Sequence, residues 1–420
     1  MTLAYFVRDC LGELVRGGWR YWSWVGFLLA LVAFGVWHYL DQLSQGLVIT
    51  HMTNQVSWGF YIANFTFLVG VAAAAVMLAI PAYLFNRGDI KDVVLMGDTM
   101  AIAAVTMAIL FVVADLGRPD RLWHLIPGIG RFHFPQSMLA WDVLVLSGYL
   151  LLNFGISFYV IFCHYRNCQP KLGYYFPAVV IAIFWAISIH TVTAFLYSAN
   201  TGRPFWVHPL LAPRFIASAF CSGPALMILG LQVVRAVSGY PIRQSVIDHL
   251  ALVMTFALQT TLFFIGVELF TEFYNESHHA ASVRYLFFGL NGHDALTPWI
   301  WTALALLAVA TFIGCIHPLR RNFWLMNLAC VLTVVGVWIE KGMGMVVPGF
   351  VPTPIGEIYE YTPSFAEVAV SIGIWGLGLL LFTLLAKAAL PIECGSLRRP
   401  GVEPDEAECG LLSKAGTTQA

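Results

Sequence analysis

The chain has 420 residues, of which 59% are hydrophobic and only 11% are charged. A soluble fold cannot bury so much apolar surface, so the composition predicts an integral membrane protein with the lipid bilayer as its solvent. Lys and Arg number 22 and Asp and Glu number 23, which leaves no basic field for binding nucleic acid. The composition also excludes a disordered chain, a collagen and a disulfide-built secreted domain.

Ten apolar stretches are long enough to cross the hydrocarbon core as helices. The alternation of a membrane barrel is missing, so the predicted fold class is an all-α integral membrane protein of about ten transmembrane helices. The predicted spans are 22–42, 57–85, 94–117, 138–163, 176–199, 213–237, 248–273, 297–316, 324–341 and 364–388.

Spans three and seven end in similar acidic segments, Val113-Ala114-Asp115-Leu116 and Gly266-Val267-Glu268-Leu269. This similarity suggests two four-helix bundles, formed by spans two to five and spans six to nine, with spans one and ten at the periphery. The predicted organisation is a cytoplasmic N-tail at 1–21, a membrane domain at 22–388 with bundles at 57–199 and 213–341 and a last helix at 364–388, and a flexible cytoplasmic C-tail at 389–420.

The distribution of positive charge predicts the orientation of the chain. Ten spans place both termini on one side, and fifteen of the 22 Lys and Arg residues fall on that side. The positive-inside rule therefore predicts cytoplasmic termini and an external working face. Arg8, Arg16 and Arg20 precede a full-length first span with no cleavage site behind it, so no cleaved signal peptide is expected.

Ionisable or amide side chains inside a span are costly, and each one is a functional candidate. Asp115 and Asp142 lie at the external ends of adjacent spans at one depth, where they could take up a proton; alternatively, Asp115 pairs with Arg118 as a structural cap. Tyr61 and Asn64 could bind a ligand or join helices. His190 fits a buried hydrogen-bonded residue, a quinone partner or a heme ligand.

A second set of polar residues could conduct protons. Asp98, near the cytoplasmic end of span three, together with Thr106, is one candidate path, although Asp98 could also be an acid that reaches headgroup water. The other candidate path runs along span seven from Gln259 to Glu268 and Glu272. The two glutamates lie four residues apart and share a helix face.

Metal cofactors are not expected from the sequence. The eight cysteines include no CxxC pair, and His190 is the only histidine well inside a predicted span, with His38 as a distant mate. Heme b is therefore not expected. The Gly/Pro-rich segment 344–354 is predicted to be an irregular external loop that meets a partner.

These motifs together resemble the NrfD/polysulfide-reductase family of membrane subunits, and most closely its DsrP branch, which serves dissimilatory sulfite reduction. The resemblance covers nearly the whole chain. It is carried by Trp58-Gly59 through Asn64, Leu116-Gly117-Arg118-Pro119 with Trp123 and Pro127, Trp141-Asp142, and Glu340-Lys341-Gly342-Met343 with Pro348-Gly349-Phe350 and Tyr361-Thr362-Pro363.

The resemblance implies a non-autonomous subunit of a quinol oxidoreductase complex in a bacterial or archaeal cytoplasmic membrane. Such a subunit binds menaquinone or another quinone near its external face and exchanges electrons with a periplasmic iron–sulfur subunit. The DsrP branch further implies a multiheme cytochrome c, a heme b membrane subunit and a cytoplasmic iron–sulfur subunit as partners, and wider family members have been proposed to move protons. The quinone-site candidates are Tyr61, Asn64, Asp115, Arg118, Asp142 and His190.

Two other functional classes compete with this interpretation. A secondary transporter would need broken helices with Gly/Pro pairs in mid-membrane, whereas Pro81, Pro177 and Pro224 lie toward the cytoplasmic ends of their spans. A heme b membrane anchor would need histidines at matching depth on facing helices. The direction of electron flow is left open by all of these observations.

Overall fold

The fold is all-α, as predicted, in a computed structural model that describes residues 2–126, 128–275 and 280–398. Ten helices are long and apolar enough to cross a membrane. A short helix, α1, covers Thr2–Val15, and α9 covers Ala280–Phe288. The spans are α2 Trp19–Gln45, α3 Phe60–Leu84, α4 Gly88–Asp115, α5 Met138–Tyr165, α6 Leu172–Ser198, α7 Leu211–Ser238, α8 Gln244–Tyr274, α10 Thr297–Cys315, α11 Phe323–Phe350 and α12 Phe365–Glu393.

Helices that are adjacent in sequence pack against one another in two groups. The first group is α3, α4, α5 and α6, and the second is α7, α8, α10 and α11. Contacts of α7 with α3 and α6 join the groups, while α2 lies on α12 and α12 lies on α4. The predicted pair of four-helix bundles with two peripheral helices matches this packing. Helix α3 is the most buried span, with 76% of its apolar window inside the protein.

The side of the bundle that carries both termini is called the termini side below, and the other side is called the far side. On the termini side, α1 packs through Phe6 against Tyr165 of α5 and Ile392 of α12. The predicted N-tail is thus largely helical. The last span continues to Glu393, beyond the predicted start of the C-tail at 389, and residues 399–420 lie outside the described part of the chain.

The prediction for segment 344–354 was wrong over its first seven residues. Helix α11 does not end at Lys341 but continues through a π-helical segment, Trp338–Met343, and a final turn, Val347–Phe350. Residues 339–350 are all buried. Proline and glycine are tolerated here because Pro348 lies in the first residues of the closing 3₁₀ turn and the neighbouring helices cover the backbone.

Two glycines bring α2 and α12 into backbone contact. A Cβ atom built on Gly35 would lie 2.4 Å from the Cα of Gly373, and one built on Gly373 would lie 2.5 Å from the Cα of Gly35. Small residues at a helix crossing permit this approach, and the dispersion contacts it creates stabilise helix pairs in lipid. The position of α12 matters because one of its faces forms part of the candidate site.

Substituting Gly35 with valine should separate α2 from α12, because the added methyl groups have no space at the crossing. We expect a lower thermal unfolding temperature for the purified protein, because contacts between the two helices, such as the hydrogen bond from the Trp24 indole to the Thr383 hydroxyl at 3.2 Å, would be lost. Gly26→Val is the matched control, since nothing lies within 4 Å of a Cβ at Gly26 on the same helix. Equal effects of the two substitutions would contradict this account of the packing.

Candidate functional site

An apolar groove of about 300 Å³ lies between α3, α11 and α12. Its outward lip is formed by Val335 and Ile372, which are 40% and 39% exposed, so the groove opens sideways from the bundle, where lipid acyl chains lie. Its lining consists of Phe60, Asn64, Phe67, Val334, Val335, Trp338, Val368, Ser371, Ile372 and Trp375.

Asn64 is the polar centre of this groove. The side chain is 1% exposed, and its amide nitrogen donates to the carbonyl of Phe60 at 2.8 Å. Its amide oxygen accepts from two indoles, Trp338 Nε1 at 3.1 Å and Trp375 Nε1 at 3.0 Å. One asparagine thus links three helices, and the groove combines an apolar wall with indole N–H donors and an amide oxygen acceptor.

This combination suits a flat, apolar ligand with oxygen atoms at its ends. Each indole N–H already donates to Asn64, so binding is an exchange of hydrogen bonds. A carbonyl oxygen of such a ligand could take over one indole N–H, and a ligand hydroxyl could then donate to the Asn64 oxygen that the exchange frees. The aromatic rings of Phe60, Phe67 and Trp375 provide the apolar surface that a ring system stacks upon. Ligand sites are typically apolar with a few such fixed polar groups.

Tyr61 does not line this groove. Its hydroxyl donates to Gln42 Oε1 at 2.6 Å, and the Gln42 amide donates to the carbonyl of Ala114 at 2.8 Å. Tyr61 therefore connects α3 to α2 and α4. Asp115 follows directly at the end of α4, and one of its carboxyl oxygens is buried without a hydrogen-bond partner among the described residues.

The predicted pairing of Asp115 with Arg118 was wrong. Arg118 binds Asp120, with both nitrogen–oxygen distances at 2.9 Å, and 67% of its side chain is exposed. The chain turns away at Gly117, whose φ of 66° is left-handed, so Arg118 leaves the helix axis before it could reach back. The hydrogen bond from Arg118 lowers the pKa of Asp120, and Arg118 lies outside the groove.

Asp142 and His190 are buried between other helices. Asp142 of α5 accepts a hydrogen bond from the Thr193 hydroxyl of α6 at 2.8 Å. His190 of α6 places Nδ1 2.7 Å from the carbonyl of Ala186, while its Nε2 has no hydrogen-bond partner among the described residues. Neither residue lines the groove, so of the six predicted quinone-site residues only Asn64 does.

The two predicted residues of the first proton path are not linked to each other. Asp98 is 8% exposed and accepts from the Ser157 hydroxyl of α5 at 3.1 Å, beside a small cavity lined by Tyr83, Tyr149 and Asn153. Because α4 begins at Gly88, Asp98 lies deeper than an interfacial acid. Thr106 donates to its own helix, at the carbonyl of Ile102, 2.7 Å away.

The residues of the second predicted proton path also lie apart from one another. Gln259 is exposed on the outside of the bundle, where its amide lies 3.2 Å from the Cys315 sulfur. Glu268 instead faces inward and forms an ion pair with Arg214 of α7. Glu272, one turn further toward the far side, is 5% exposed. The sequence analysis placed Gln259 and Glu268 on one route because both lie on span seven. Nine residues apart on a helix, their side chains point to opposite sides.

Arg214 is the centre of a buried ion cluster that the sequence analysis did not identify. It binds Glu268 of α8 and Glu340 of α11, with its Nε 3.0 Å from Glu340 Oε1. The side chains of Arg214 and Glu340 are 12% and 1% exposed. The predicted span 213–237 begins one residue before Arg214, so the sequence analysis counted this residue only among the charges of the external side; α7 in fact begins at Leu211.

Lys341 lies beside this cluster and reaches toward the other bundle. It is 3% exposed, its Nζ donates to the carbonyl of Phe215 at 3.3 Å, and the ammonium lies 4.4 Å from the centre of the Phe215 ring. A Cβ built on Gly70 of α3 would lie 3.2 Å from Lys341 Nζ and 3.4 Å from Ser222 Oγ. Glycine at position 70 thus leaves room for the lysine at the junction of the bundles.

Three features of the site escaped sequence reasoning. In the sequence, Trp338 and Trp375 look like ordinary aromatic residues of apolar spans. Arg214 looks like a charge at the external end of a span. The available signal was the position of Glu340-Lys341 shortly after Trp338, which places charges within a run of apolar residues. Among the described residues, His, Cys, Asp and Glu side chains form no group of three that could hold a metal ion.

Comparison with known proteins relates the chain to membrane subunits of reductases. Residues 48–349 match the family model described as polysulphide reductase, NrfD. A putative dimethyl sulfoxide reductase membrane subunit of Halobacterium salinarum is 26% identical, with 89% of this chain and 91% of that protein covered.

Two further relatives have names that refer to menaquinone. The Hdr-like menaquinol oxidoreductase integral membrane subunit of Archaeoglobus fulgidus is 24% identical, with 88% of this chain and 93% of that protein covered. The integral membrane subunit of a menaquinone reductase from Nitratidesulfovibrio vulgaris is 22% identical, with 93% of each chain covered.

Replacing Arg214 with glutamine should destabilise the protein by about 3–5 kcal/mol, because two buried carboxylates would lose their shared cation. Thermal unfolding of the detergent-solubilised protein measures this effect. Arg118→Gln is the matched control and should leave the unfolding temperature close to that of the parent, since its ion pair with Asp120 is exposed to water. An Arg214→Gln protein as stable as the control would contradict the assignment of a buried ion cluster.

Proposed function

Because the chain belongs to the NrfD polysulphide reductase family, we propose that it is the quinone-interacting membrane subunit of a multi-subunit electron-transfer complex. The observation that supports this proposal most strongly is the groove around Asn64. It opens toward the acyl chains, where an isoprenoid quinone resides, and it presents hydrogen-bonding groups only at its floor. The names of the relatives from Archaeoglobus fulgidus and Nitratidesulfovibrio vulgaris favour menaquinone as the quinone.

In the proposed reaction the subunit binds and orients the quinone, and the electrons pass to or from a partner. Oxidation of one quinol yields one quinone, two electrons and two protons. An iron–sulfur subunit docked on the far side accepts the electrons one at a time, and nearby acids or water accept the protons. Quinone reduction is the same sequence in reverse. The indoles of Trp338 and Trp375 and the amide of Asn64 fix the ring, and the apolar walls keep water away from it.

The biological setting of the complex is a more specific part of the proposal. The resemblance to the DsrP branch favours dissimilatory sulfur metabolism, with a multiheme cytochrome c, a heme b membrane subunit and a cytoplasmic iron–sulfur subunit as further partners. The excess of Lys and Arg on the termini side favours cytoplasmic termini in a bacterial or archaeal membrane. The far side, which is the side nearer Asn64, would then be periplasmic.

Asn64→Leu should abolish saturable binding of a fluorescent quinol analogue. Leucine has a similar branched shape but lacks the amide oxygen that accepts from the indoles and the amide nitrogen that donates to Phe60. Trp338→Phe and Trp375→Phe should each weaken binding by about tenfold, since each removes one hydrogen-bond donor worth about 1.4 kcal/mol. The measurement is fluorescence quenching in membranes that contain the chain, with competition by unlabelled menaquinone.

Asn327→Leu is the control for these variants. Asn327 lies on α11, the helix that carries Trp338, but toward the termini side, where its amide donates to Gln232 at 3.0 Å and to the carbonyl of Phe323 at 2.9 Å. This variant should bind the analogue normally. Normal binding by Asn64→Leu, with the protein shown to be folded, would place the quinone site elsewhere.

A second activity, proton transfer through the membrane, is favoured by the buried charges at the junction of the bundles. Ion pairs join Glu268, Arg214 and Glu340, and Lys341, which follows Glu340 in the chain, donates to the carbonyl of Phe215 and reaches Gly70 of the first bundle. Buried ionisable groups of this kind often carry protons in membrane proteins. This series replaces the predicted route from Gln259, because Gln259 points away from the protein interior.

Lys341→Met should reduce the number of protons moved per quinol oxidised while quinol turnover continues, because methionine fills similar space without a titratable group. The ratio is measured with a pH-sensitive dye in sealed vesicles that contain the complex. Lys387→Met is the matched control on α12, where the ammonium lies 5.3 Å from the centre of the Tyr21 ring near the termini side. An unchanged ratio in Lys341→Met would refute this route.

A further inference from the structure

A buried chain of hydrogen bonds begins at the wall of the quinone groove. Phe60, whose ring lines the groove, uses both of its backbone groups: its carbonyl accepts from Asn64 at 2.8 Å, and its N–H donates to the Tyr361 hydroxyl at 2.8 Å. Phe60 therefore stands between Tyr361 and Asn64, the polar centre of the groove. It is 3% exposed and comes from the segment between α11 and α12.

Gly59 allows this contact. A Cβ atom built on Gly59 would lie 2.3 Å from the hydroxyl oxygen of Tyr361 and equally close to its ring, so no other residue fits here unless Tyr361 moves. This close contact explains why the second residue of the Trp58-Gly59 motif is glycine. It brings the phenol against the first turn of α3, on the side of the groove that faces α12.

The Tyr361 hydroxyl in turn donates to the carboxylate of Glu367. Glu367 is fully buried in the first turn of α12, directly before the groove residue Val368. Its second oxygen accepts from the backbone N–H groups of His51 at 3.1 Å and Ser364 at 2.8 Å. His51 is exposed at the far-side surface. Glu367 therefore lies between the groove and water.

The surroundings of Tyr361 and Glu367 contain groups that can exchange protons. Burial, together with the neighbouring Glu367 carboxylate, raises the pKa of Tyr361, so its hydroxyl remains protonated at neutral pH and can donate. The titratable groups that act on this cluster from the other helices are Tyr39 of α2, Tyr61 of α3 and Asp115 of α4. His51 is the further titratable group beside this cluster, since its backbone N–H donates to Glu367 and its Nδ1 lies 2.9 Å from the carbonyl of Thr362.

We propose that Tyr361 and Glu367 form the proton relay of the quinone groove. The relay rests on the proposed quinone function. When quinol is oxidised, its two electrons pass to the iron–sulfur partner. One of its two protons reaches the Tyr361 hydroxyl through a water molecule beside Phe60, and the Tyr361 hydroxyl gives its own proton to Glu367. The other proton leaves directly to water. Glu367 then releases that proton to water beside His51. In quinone reduction the same groups deliver a proton to the quinone oxygen.

The relay must be separated from a purely structural role of Glu367, because this residue also closes a capping box with Ser364 at the start of α12. Ser364→Ala removes the side-chain half of that box and leaves the Tyr361–Glu367 contact in place. It therefore tests the cap alone. Tyr361→Phe tests the relay alone, since it keeps the ring against Gly59 and removes only the hydroxyl.

The experiment uses the intact complex in sealed membrane vesicles, with quinol oxidation followed as a function of pH and affinity measured with the quinol analogue. Tyr361→Phe should bind the analogue within about twofold of the parent, yet oxidise quinol about 100-fold more slowly, which is the scale of a lost acid–base group. Glu367→Gln should show the same loss. Glu367→Asp should recover part of the rate, and Ser364→Ala should behave like the parent.

The following outcomes would contradict the relay or show a different role for its residues. Parent-like rates and pH profiles in Tyr361→Phe would overturn the relay, as would a Tyr361→Phe complex that no longer binds the analogue, since Tyr361 would then position the quinone instead. If Glu367→Gln does not assemble, the result for Tyr361→Phe still decides. Failure of the quinone function itself is distinguishable, because it would appear as normal analogue binding in Asn64→Leu regardless of the rates in the relay variants.

Discussion

The widened turn of α11 between Trp338 and Met343 is the feature on which the rest of the site depends. Neighbouring helices cover this segment on several sides, so that Ile339, Glu340, Lys341 and Gly342 are buried in succession, while Trp338 faces α3 and α12. The segment therefore supplies an indole to the groove and two charges to the interior, and π-helical segments are frequent at functional sites.

The indole and the two charges obey the same constraint. A polar group that is buried within the membrane needs a partner inside the protein. The Trp338 indole meets this need at Asn64, Glu340 meets it at Arg214, and Lys341 meets it at the carbonyl and ring of Phe215. Each of these contacts crosses from one helix to another. The polar groups that serve the proposed function therefore also hold α11 against α3, α7 and α12.

The sequence was sufficient to predict the ten spans and their grouping, because each apolar run is long and each is bounded by charge or by Gly and Pro. It also named Asn64, which the structure places at the polar centre of the groove. It could not show that Tyr61 binds Gln42 outside the groove, that Arg118 prefers Asp120, or that Gln259 faces outward, since those outcomes depend on helix packing and on the turn at Gly117. The extension of α11 to Phe350 was missed because Gly and Pro were taken as helix-ending residues, whereas burial among other helices protects the backbone there.

The most direct test of the account is to map the quinone with a photoreactive menaquinone analogue in the intact complex, followed by mass spectrometry of the labelled peptides. The account predicts labels on peptides of α3, α11 and α12 that contain Asn64, Trp338 and Trp375, with protection by excess menaquinone. Protectable labels confined to α5 and α6, around Asp142 and His190, would contradict it and would return the quinone site to the interior of the first bundle.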